Sequence, residues 1–173
     1  MEKYIRQALE GGATFCREIP VSAVSVAEWV RVKCQFGCGG YGECLTCPPY
    51  SPTPAVTRRW LSEYHRALLL RFDRNPAERE EEVRLLSRKL GAELERQLFL
   101  DGFYKAFALG AGPCPFCDTC DTTRPCIHPR LARPAMEACG IDVYATVRNL
   151  GLKLEVVTSE QACYDLVSLV LVD

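Results

Sequence analysis

The cysteines constrain this chain more than any other feature. The 173 residues contain 11 cysteines, and most of these fall in two tight groups. The first group is Cys34, Cys38, Cys44 and Cys47, and the second is Cys114, Cys117, Cys120 and Cys126. Such grouping is typical of metal centres, because several thiolates must reach one centre within a few ångströms. We therefore expect these eight cysteines to be metal ligands.

A disulfide framework is the alternative use of so many cysteines. It fits less well, because the count is odd and the chain is long enough to bury a core without covalent staples. The N-terminal residues 1–6 also lack the basic-then-apolar layout of a secretory signal. We expect a cytoplasmic protein.

Charge and hydropathy exclude two classes of partner. Lys and Arg total 21 against 22 for Asp and Glu, so no strong field attracts nucleic acid or an anionic membrane. The longest apolar runs, Ala67–Leu70 and Leu169–Val172, are too short to span a bilayer. We expect no nucleic-acid partner and no membrane partner.

The apolar pattern predicts a single α/β (α+β) domain over residues 1–173. Its first part, 1–60, is helical and cysteine-rich; its core, 61–173, contains the second cysteine loop at 113–128. Predicted strands are 13–19, 64–72, 103–109, 153–157 and 164–172, and predicted helices are 1–10, 26–33, a long one opening at Asn75, and 134–150. We expect helices packed on a mixed sheet of four to five strands, in a sandwich.

The second cysteine group is the more diagnostic of the two. Cys114, Cys117 and Cys120 form a C-x2-C-x2-C run, the spacing with which ferredoxins cap three corners of a 4Fe–4S cluster. Cys126 follows after a longer gap, and Ile127 stands where the ferredoxin pattern has Pro. Zinc sites more often use two C-x2-C pairs on separate arms. The spacing favours iron–sulfur, with zinc as the alternative.

The first group is less specific. Its four cysteines are interleaved with glycines, which permit close backbone approach to a sulfur-rich centre. The spacing suits either a 4Fe–4S cluster or a zinc ion with four cysteine ligands. Cys47 precedes Pro48, as the fourth ferredoxin ligand precedes its proline, so Cys47 serving the second group is an open alternative.

The segments Lys33–Thr53 and Arg133–Asp142 resemble a prokaryotic family described only as predicted metal-binding proteins, a domain of unknown function. The resemblance extends from about Cys34 to Val157. It implies metal ligation by the matching cysteines and an anaerobic or archaeal type of cytoplasm. The family has no assigned reaction, so it implies no function beyond the metal.

Several other residues invite a role. Cys139, Cys16 and Cys163 are predicted to be buried thiols, because a free thiol behaves as a small hydrophobe. His128 is an additional ligand if the site is zinc or mixed; otherwise it supports the site from outside. His65 is predicted to be structural.

Three arginines surround the second group: Arg124, Arg130 and Arg133. They are expected to balance the negative charge of thiolate-ligated clusters. The alternative is an anion site that uses Arg130 and Arg133 at the N-terminus of the helix predicted over 134–150.

Three functions remain open at this point. The leading hypothesis is an electron carrier or redox accessory with two 4Fe–4S clusters and a redox partner protein. One alternative is a binding or scaffolding protein whose loops zinc stiffens. The other is an iron–sulfur enzyme with a small anionic substrate held by Arg130 and Arg133, although no nucleotide-binding or radical-type motif names its reaction.

Overall fold

A four-stranded antiparallel sheet forms the centre of the fold. The computed structural model describes residues 1–73, 80–159, 162 and 164–173. The helices are α1 (Glu2–Glu10), α2 (Glu28–Gly37), α3 (Pro54–Leu61), α4 (Glu80–Leu100) and α5 (Val143–Asn149). The strands are β1 (Phe15–Pro20), β2 (Arg66–Phe72), β3 (Phe107–Leu109) and β4 (Leu166–Leu171). Short 3₁₀-helices occupy Val21–Ala23 and Glu137–Cys139.

The sheet is covered on both faces. Alternate residues of β2 point to opposite sides, so Leu68 and Leu70 pack under α1 and α4, while Ala67 and Leu69 pack under α3 and α5. This double burial explains why β2 is a continuous apolar run, as the sequence indicated. The α+β class is confirmed.

The strand order is β1-β2-β4-β3. The prediction of a mixed sheet was wrong in one respect, since every strand pairing is antiparallel. The β2–α4–β3 unit sends β3 in the same direction as β2, but the last strand, β4, inserts between them and runs opposite to both. A short stretch of sequence cannot reveal such an insertion by a distant strand.

The predictions for α1, β1, β2 and β4 are confirmed to within a few residues. The strand predicted over 103–109 is only its last part, β3, and residues 153–157 form no strand. The start predicted for the long helix, at Asn75, lies outside the described part of the chain. The helix predicted over 26–33 is α2, which begins after Ala27 without a side-chain cap.

Two further differences lie next to the cysteine loops. The first loop is followed by a helix that was not predicted, because α3 begins at Pro54 with Thr53 as its cap. The helix predicted over 134–150 is broken: Gly140 has a left-handed φ of +77°, and α5 starts afresh after Asp142, whose side chain accepts the Ala145 N–H at 2.9 Å.

Both cysteine loops are fastened to the segment 135–142. The second loop closes on itself where Gly110 pairs with Ala135. The first is held by Arg31, which donates to the carbonyl oxygens of Pro52 and Ala138 at 2.8 and 2.9 Å. The two loops are therefore brought to the same side of the molecule. None of the helices in the described ranges combines the length and the apolar character needed to cross a bilayer.

Candidate metal centre

The first cysteine loop begins on a helix. Cys34 lies in the last turn of α2 and Cys38 follows that helix directly, while Cys44 and Cys47 lie in the turns that lead to α3. Cys38 is exposed, whereas Cys44 and Cys47 are buried. The exposure of the thiols along this loop therefore decreases from Cys38 at the surface to Cys44 and Cys47 in the interior.

Three of these cysteines line one cavity of about 400 Å³: Cys34, Cys38 and Cys47. Gly40 brings two of the sulfur atoms together. A Cβ atom at Gly40 would lie 3.4 Å from Cys47 Sγ and 3.7 Å from Cys38 Sγ, and the Gly40 N–H donates to Cys38 Sγ at 3.5 Å. The missing side chain lets the backbone approach both thiols.

The second cysteine loop joins β3 to the 3₁₀-helix Glu137–Cys139, without regular structure of its own. Its four cysteines, Cys114, Cys117, Cys120 and Cys126, are half-buried and line a second, small cavity of about 20 Å³. His128 lines the same cavity, and its backbone N–H donates to Cys126 Sγ at 3.3 Å. His128 thus lies beside the cysteines that are predicted to be ligands.

Cys44 joins the two groups. It lines the second cavity, and its side chain interacts with those of Cys114 and Cys47. These interactions lower the pKa of Cys44, because they stabilise its thiolate, and they contribute to raised pKa values at Cys47 and Cys114. Thr46 Oγ1 lies 3.3 Å from the same sulfur.

The cavities therefore divide the eight cysteines into three and five, whereas the sequence suggested four and four. The sequence left open whether Cys47 serves the second group. In the structure it is Cys44 that lies with the second group. Within the described ranges, no three Cys, His, Asp or Glu side chains converge closely enough to hold a single metal ion.

A buried arginine on α4 supports the second loop. Arg88 is 3% exposed and donates to the carbonyl oxygens of Arg133 at 2.5 Å, of Ala111 at 3.3 Å and of Gly112. These carbonyls flank the point at which the loop leaves and rejoins the body of the fold. A Cβ atom at Gly110 would lie 2.9 Å from Arg88 Cζ, so the guanidinium fits because this position is glycine.

Arg88 also places a buried positive charge near the thiols. It interacts electrostatically with Cys114, Cys47 and Cys44, and its burial lowers its own pKa. Sequence analysis had assigned charge balance to Arg124, Arg130 and Arg133 instead. The helical spacing does place Arg88 on the same row of α4 as Arg84 and Glu95, with Gly91 and Ala92 between Arg88 and Glu95.

The three arginines that were predicted to balance the charge of the thiolates lie in different surroundings. Arg124 is exposed, and its Nε lies 3.6 Å from Asp121 Oδ2. Arg133 forms two hydrogen bonds to Glu95, at 2.6 and 2.8 Å, and Arg130 is exposed. The helix N-terminus invoked for an anion site does not exist, because no helix begins at Pro134.

Of the cysteines outside the two groups, Cys139 is buried as predicted, whereas Cys16 is only half-buried. Cys139 is fully buried among Met136 and Ile141, and Cys16 is half-buried against the opposite core. Burial raises the pKa of each thiol to about 12. The ten described cysteines are all free, and Cys163 lies outside the described residues.

Glu137 is the second residue that sequence reasoning missed. It lines the 400 Å³ cavity, and its carbonyl oxygen lies 3.9 Å from Cys34 Sγ. Its carboxyl oxygen Oε2 is buried and has no hydrogen-bond partner among the described residues. No sequence pattern marked it, because only the broken helix turns it towards the cysteines.

The donor set fits a thiolate-bound metal. The side chains that line the two cavities include eight thiols and His128, and the buried cation Arg88 interacts electrostatically with three of these thiols. Thiolates are the ligands of both zinc and iron–sulfur clusters. The chemistry of the site therefore supports metal binding without naming the metal.

The comparisons with known proteins agree with this chemistry. A family model described as "Predicted metal-binding protein (DUF2284)" matches residues 17–172. Neither the curated proteins nor the solved structures gave a match. The match includes both cysteine loops and all four strands except the first two residues of β1. The chain therefore belongs to the DUF2284 family of predicted metal-binding proteins.

Proposed function

We propose that the eight cysteines hold two neighbouring 4Fe–4S clusters and that the protein transfers electrons, as a carrier or as a redox accessory to a partner enzyme. The observation that carries this proposal is the position of Cys44. Its side chain interacts both with that of Cys47, which lines the first cavity, and with that of Cys114, which lines the second. Two centres held by these loops would be neighbours.

The number and spread of the thiols support clusters over single ions. A zinc ion needs four ligand atoms within about 2.3 Å of one point. No three candidate ligand side chains converge in this way in the described part of the chain. A 4Fe–4S cluster instead offers four irons, each with its own thiolate. The sulfur atoms around each cavity are spread more widely than one zinc ion requires, and this spread suits a cluster with four separate irons better.

When bound, a 4Fe–4S cluster accepts and donates single electrons. The chain's own residues would hold and tune it. Arg88 supplies a buried positive charge close to Cys44, Cys47 and Cys114, which favours the more negative, reduced state and so raises the reduction potential. The N–H groups of Gly40 and His128 already bond to cysteine sulfur and would tune the potential in the same direction.

The access to the thiols also suits exchange of electrons with a partner. Cys38 is exposed, and the cysteines of the second loop are only half-buried. Both centres would lie near the surface, within reach of another protein. Free thiols persist in a reducing compartment, and we propose the cytoplasm as the location.

Reduction of protein prepared without oxygen tests this function. The proposal expects a brown protein that dithionite bleaches, and an electron paramagnetic resonance spectrum in which two reduced clusters broaden each other magnetically. A protein with one isolated signal would contradict the neighbouring arrangement. A colourless protein that dithionite leaves unchanged would favour the alternative, a zinc-stiffened interaction protein.

A further inference from the structure

An apolar stripe runs along one side of α2. Trp29, Val32 and Phe36, which form this α2 stripe, follow one another at steps of three and four residues and so lie on the same face of the helix. Their exposed fractions are 48%, 53% and 79%. Single exposed apolar residues are ordinary on a protein surface, whereas a contiguous apolar patch is typical of an interaction site.

The α2 stripe faces away from the rest of the fold. On the other side of the helix, Val30 is buried, and Arg31 donates to the carbonyl oxygens of Pro52 and Ala138. Since successive residues of an α-helix are about 100° apart, the stripe lies roughly opposite to Val30, Arg31 and the half-buried Cys34. The packing of the chain therefore leaves the stripe open to another molecule.

The stripe has the spacing of a coiled-coil seam. Trp29, Val32 and Phe36 are related as the positions a, d and the next a of a heptad. Glu28 then falls at position g and Lys33 at position e, one on each side of the stripe. In a parallel pair of helices, Glu28 of one copy faces Lys33 of the other, and the contact occurs twice. An antiparallel pair would instead bring Glu28 near Glu28 and Lys33 near Lys33.

Both charged side chains are placed to make these contacts. The Glu28 side chain is 66% exposed, and its ion pair with Arg58 at 2.8 Å is an exposed one, of a kind that contributes little to stability. Lys33 Nζ lies 5.3 Å from the centroid of the Trp29 ring, so its positive charge already stands at the edge of the stripe. The Glu28 carboxylate can therefore exchange Arg58 for a lysine of a second copy.

We infer that a second copy of this chain covers the α2 stripe, in a two-fold dimer whose α2 helices lie side by side in parallel. The stripe offers roughly 300 Å² per copy, since a whole aromatic side chain buries about 150–250 Å². A standard interface buries about 800 Å² per partner, so this dimer is weak, with a dissociation constant on the order of 100 µM. Because Cys38 follows α2 directly, the first cysteine loops of the two copies lie at the same end of the helix pair.

Analytical ultracentrifugation of the metal-containing protein tests the inference. Between about 1 µM and 1 mM, the mean mass should rise from that of one chain towards that of two. A mass of one chain throughout would overturn the inference and assign the stripe to a different protein. The metal content of the same samples keeps the two proposals apart: a zinc-containing dimer refutes the clusters alone, and an iron–sulfur monomer refutes the dimer alone.

A pair of matched variants locates the interface. Phe36→Ala removes the most exposed side chain of the stripe and should raise the dissociation constant at least about tenfold. Phe99→Ala removes an exposed aromatic from α4, outside the stripe, and should leave the dissociation constant unchanged. Equal dissociation constants for the two variants would place the contact elsewhere and overturn the inference.

Charge exchange tests the parallel orientation. Glu28→Lys alone or Lys33→Glu alone turns both contacts into like-charge pairs, so each variant should dimerise about tenfold more weakly than the parent protein. An equimolar mixture of the two variants brings a lysine at position 28 against a glutamate at position 33, and lysine 33 against glutamate 28, so dimerisation should recover. A mixture no stronger than the separate variants would overturn the parallel pairing of α2.

Discussion

Cys44 belongs to the first loop, but its side chain lines the cavity of the second loop and interacts there with the side chain of Cys114. This contact links two segments that are far apart in sequence and lie on opposite sides of β2, α4 and β3 in the chain. If the two loops hold two metal centres, as proposed, Cys44 is the thiol on which both would depend.

Replacement of Cys44 should therefore affect the metal more than its sequence position implies. In Cys44→Ser we expect the iron content to fall by about half or more, because a serine hydroxyl is a far weaker ligand for iron than a thiolate. The magnetic broadening between the clusters should disappear. Iron analysis and electron paramagnetic resonance measure the two effects, and unchanged iron would remove Cys44 from the ligand set.

The C-x2-C-x2-C run should be indispensable to the second centre. Cys117→Ser or Cys120→Ser should abolish that centre and leave residues 112–134 open to limited proteolysis, because the metal organises a loop without regular structure. The matched control is Cys139→Ser in the core, which should retain all the metal and lose only packing energy. Metal loss in the control would show that the ligand set is wrong.

Arg88 should stabilise both the fold and the reduced state. Arg88→Met leaves three carbonyl oxygens at the ends of the second loop without their donor, and we expect the free energy of unfolding to fall by about 3 kcal/mol. The reduction potential of the nearer cluster should fall as well, since a buried positive charge is lost. Chemical denaturation and a redox titration measure these changes.

The matched variant for that experiment is Arg88→Lys. It keeps the charge but has a single donor group, so it should recover most of the potential and only part of the stability. If Arg88→Met were as stable as the parent protein, the three hydrogen bonds would not hold the second loop.

Gly110 should tolerate no side chain. In Gly110→Ala the new Cβ would lie 2.9 Å from Arg88 Cζ, so the guanidinium must move and its bonds to the second loop must lengthen. We expect a loss of about 1–3 kcal/mol in unfolding free energy. Gly39→Ala, where no heavy atom lies within 4 Å of the new Cβ, should cost much less. Equal losses in the two variants would contradict the close approach.

Cys16 should react slowly with alkylating agents. Burial raises its pKa to about 12, and only the thiolate is nucleophilic. At pH 8 the reactive fraction is small, and the rate should rise about tenfold with each pH unit until the pH approaches 12. Mass spectrometry after iodoacetamide treatment of the native protein measures the rate, and rapid labelling at pH 8 would contradict the burial.

Much of the fold was predictable from local pattern. The strand predicted over 64–72 is β2, and the long predicted helix is α4. The antiparallel order was not predictable, because β4 inserts between β2 and β3 from the far end of the chain. The break at Gly140 was not predictable either, because the apolar spacing continues across it. Only the left-handed backbone of Gly140 shows that the helix is interrupted there.

For the candidate site, the sequence predicted which cysteines gather but not how they divide. Short spacing in a loop determines that thiols are near one another, and the cavities agree with this for both groups. The transfer of Cys44 to the second group depends on how two loops pack against α4. The roles of Arg88 and Glu137 were not predicted either, because they arise from tertiary contacts. The compartment, the redox partner and the metal identity stay predictions.

Metal and sulfide analysis of protein purified without oxygen tests the central claim most directly. The account predicts about eight irons and eight acid-labile sulfides per chain, as two 4Fe–4S clusters require. About two zinc ions per chain with no sulfide would contradict it and would make the cysteines structural.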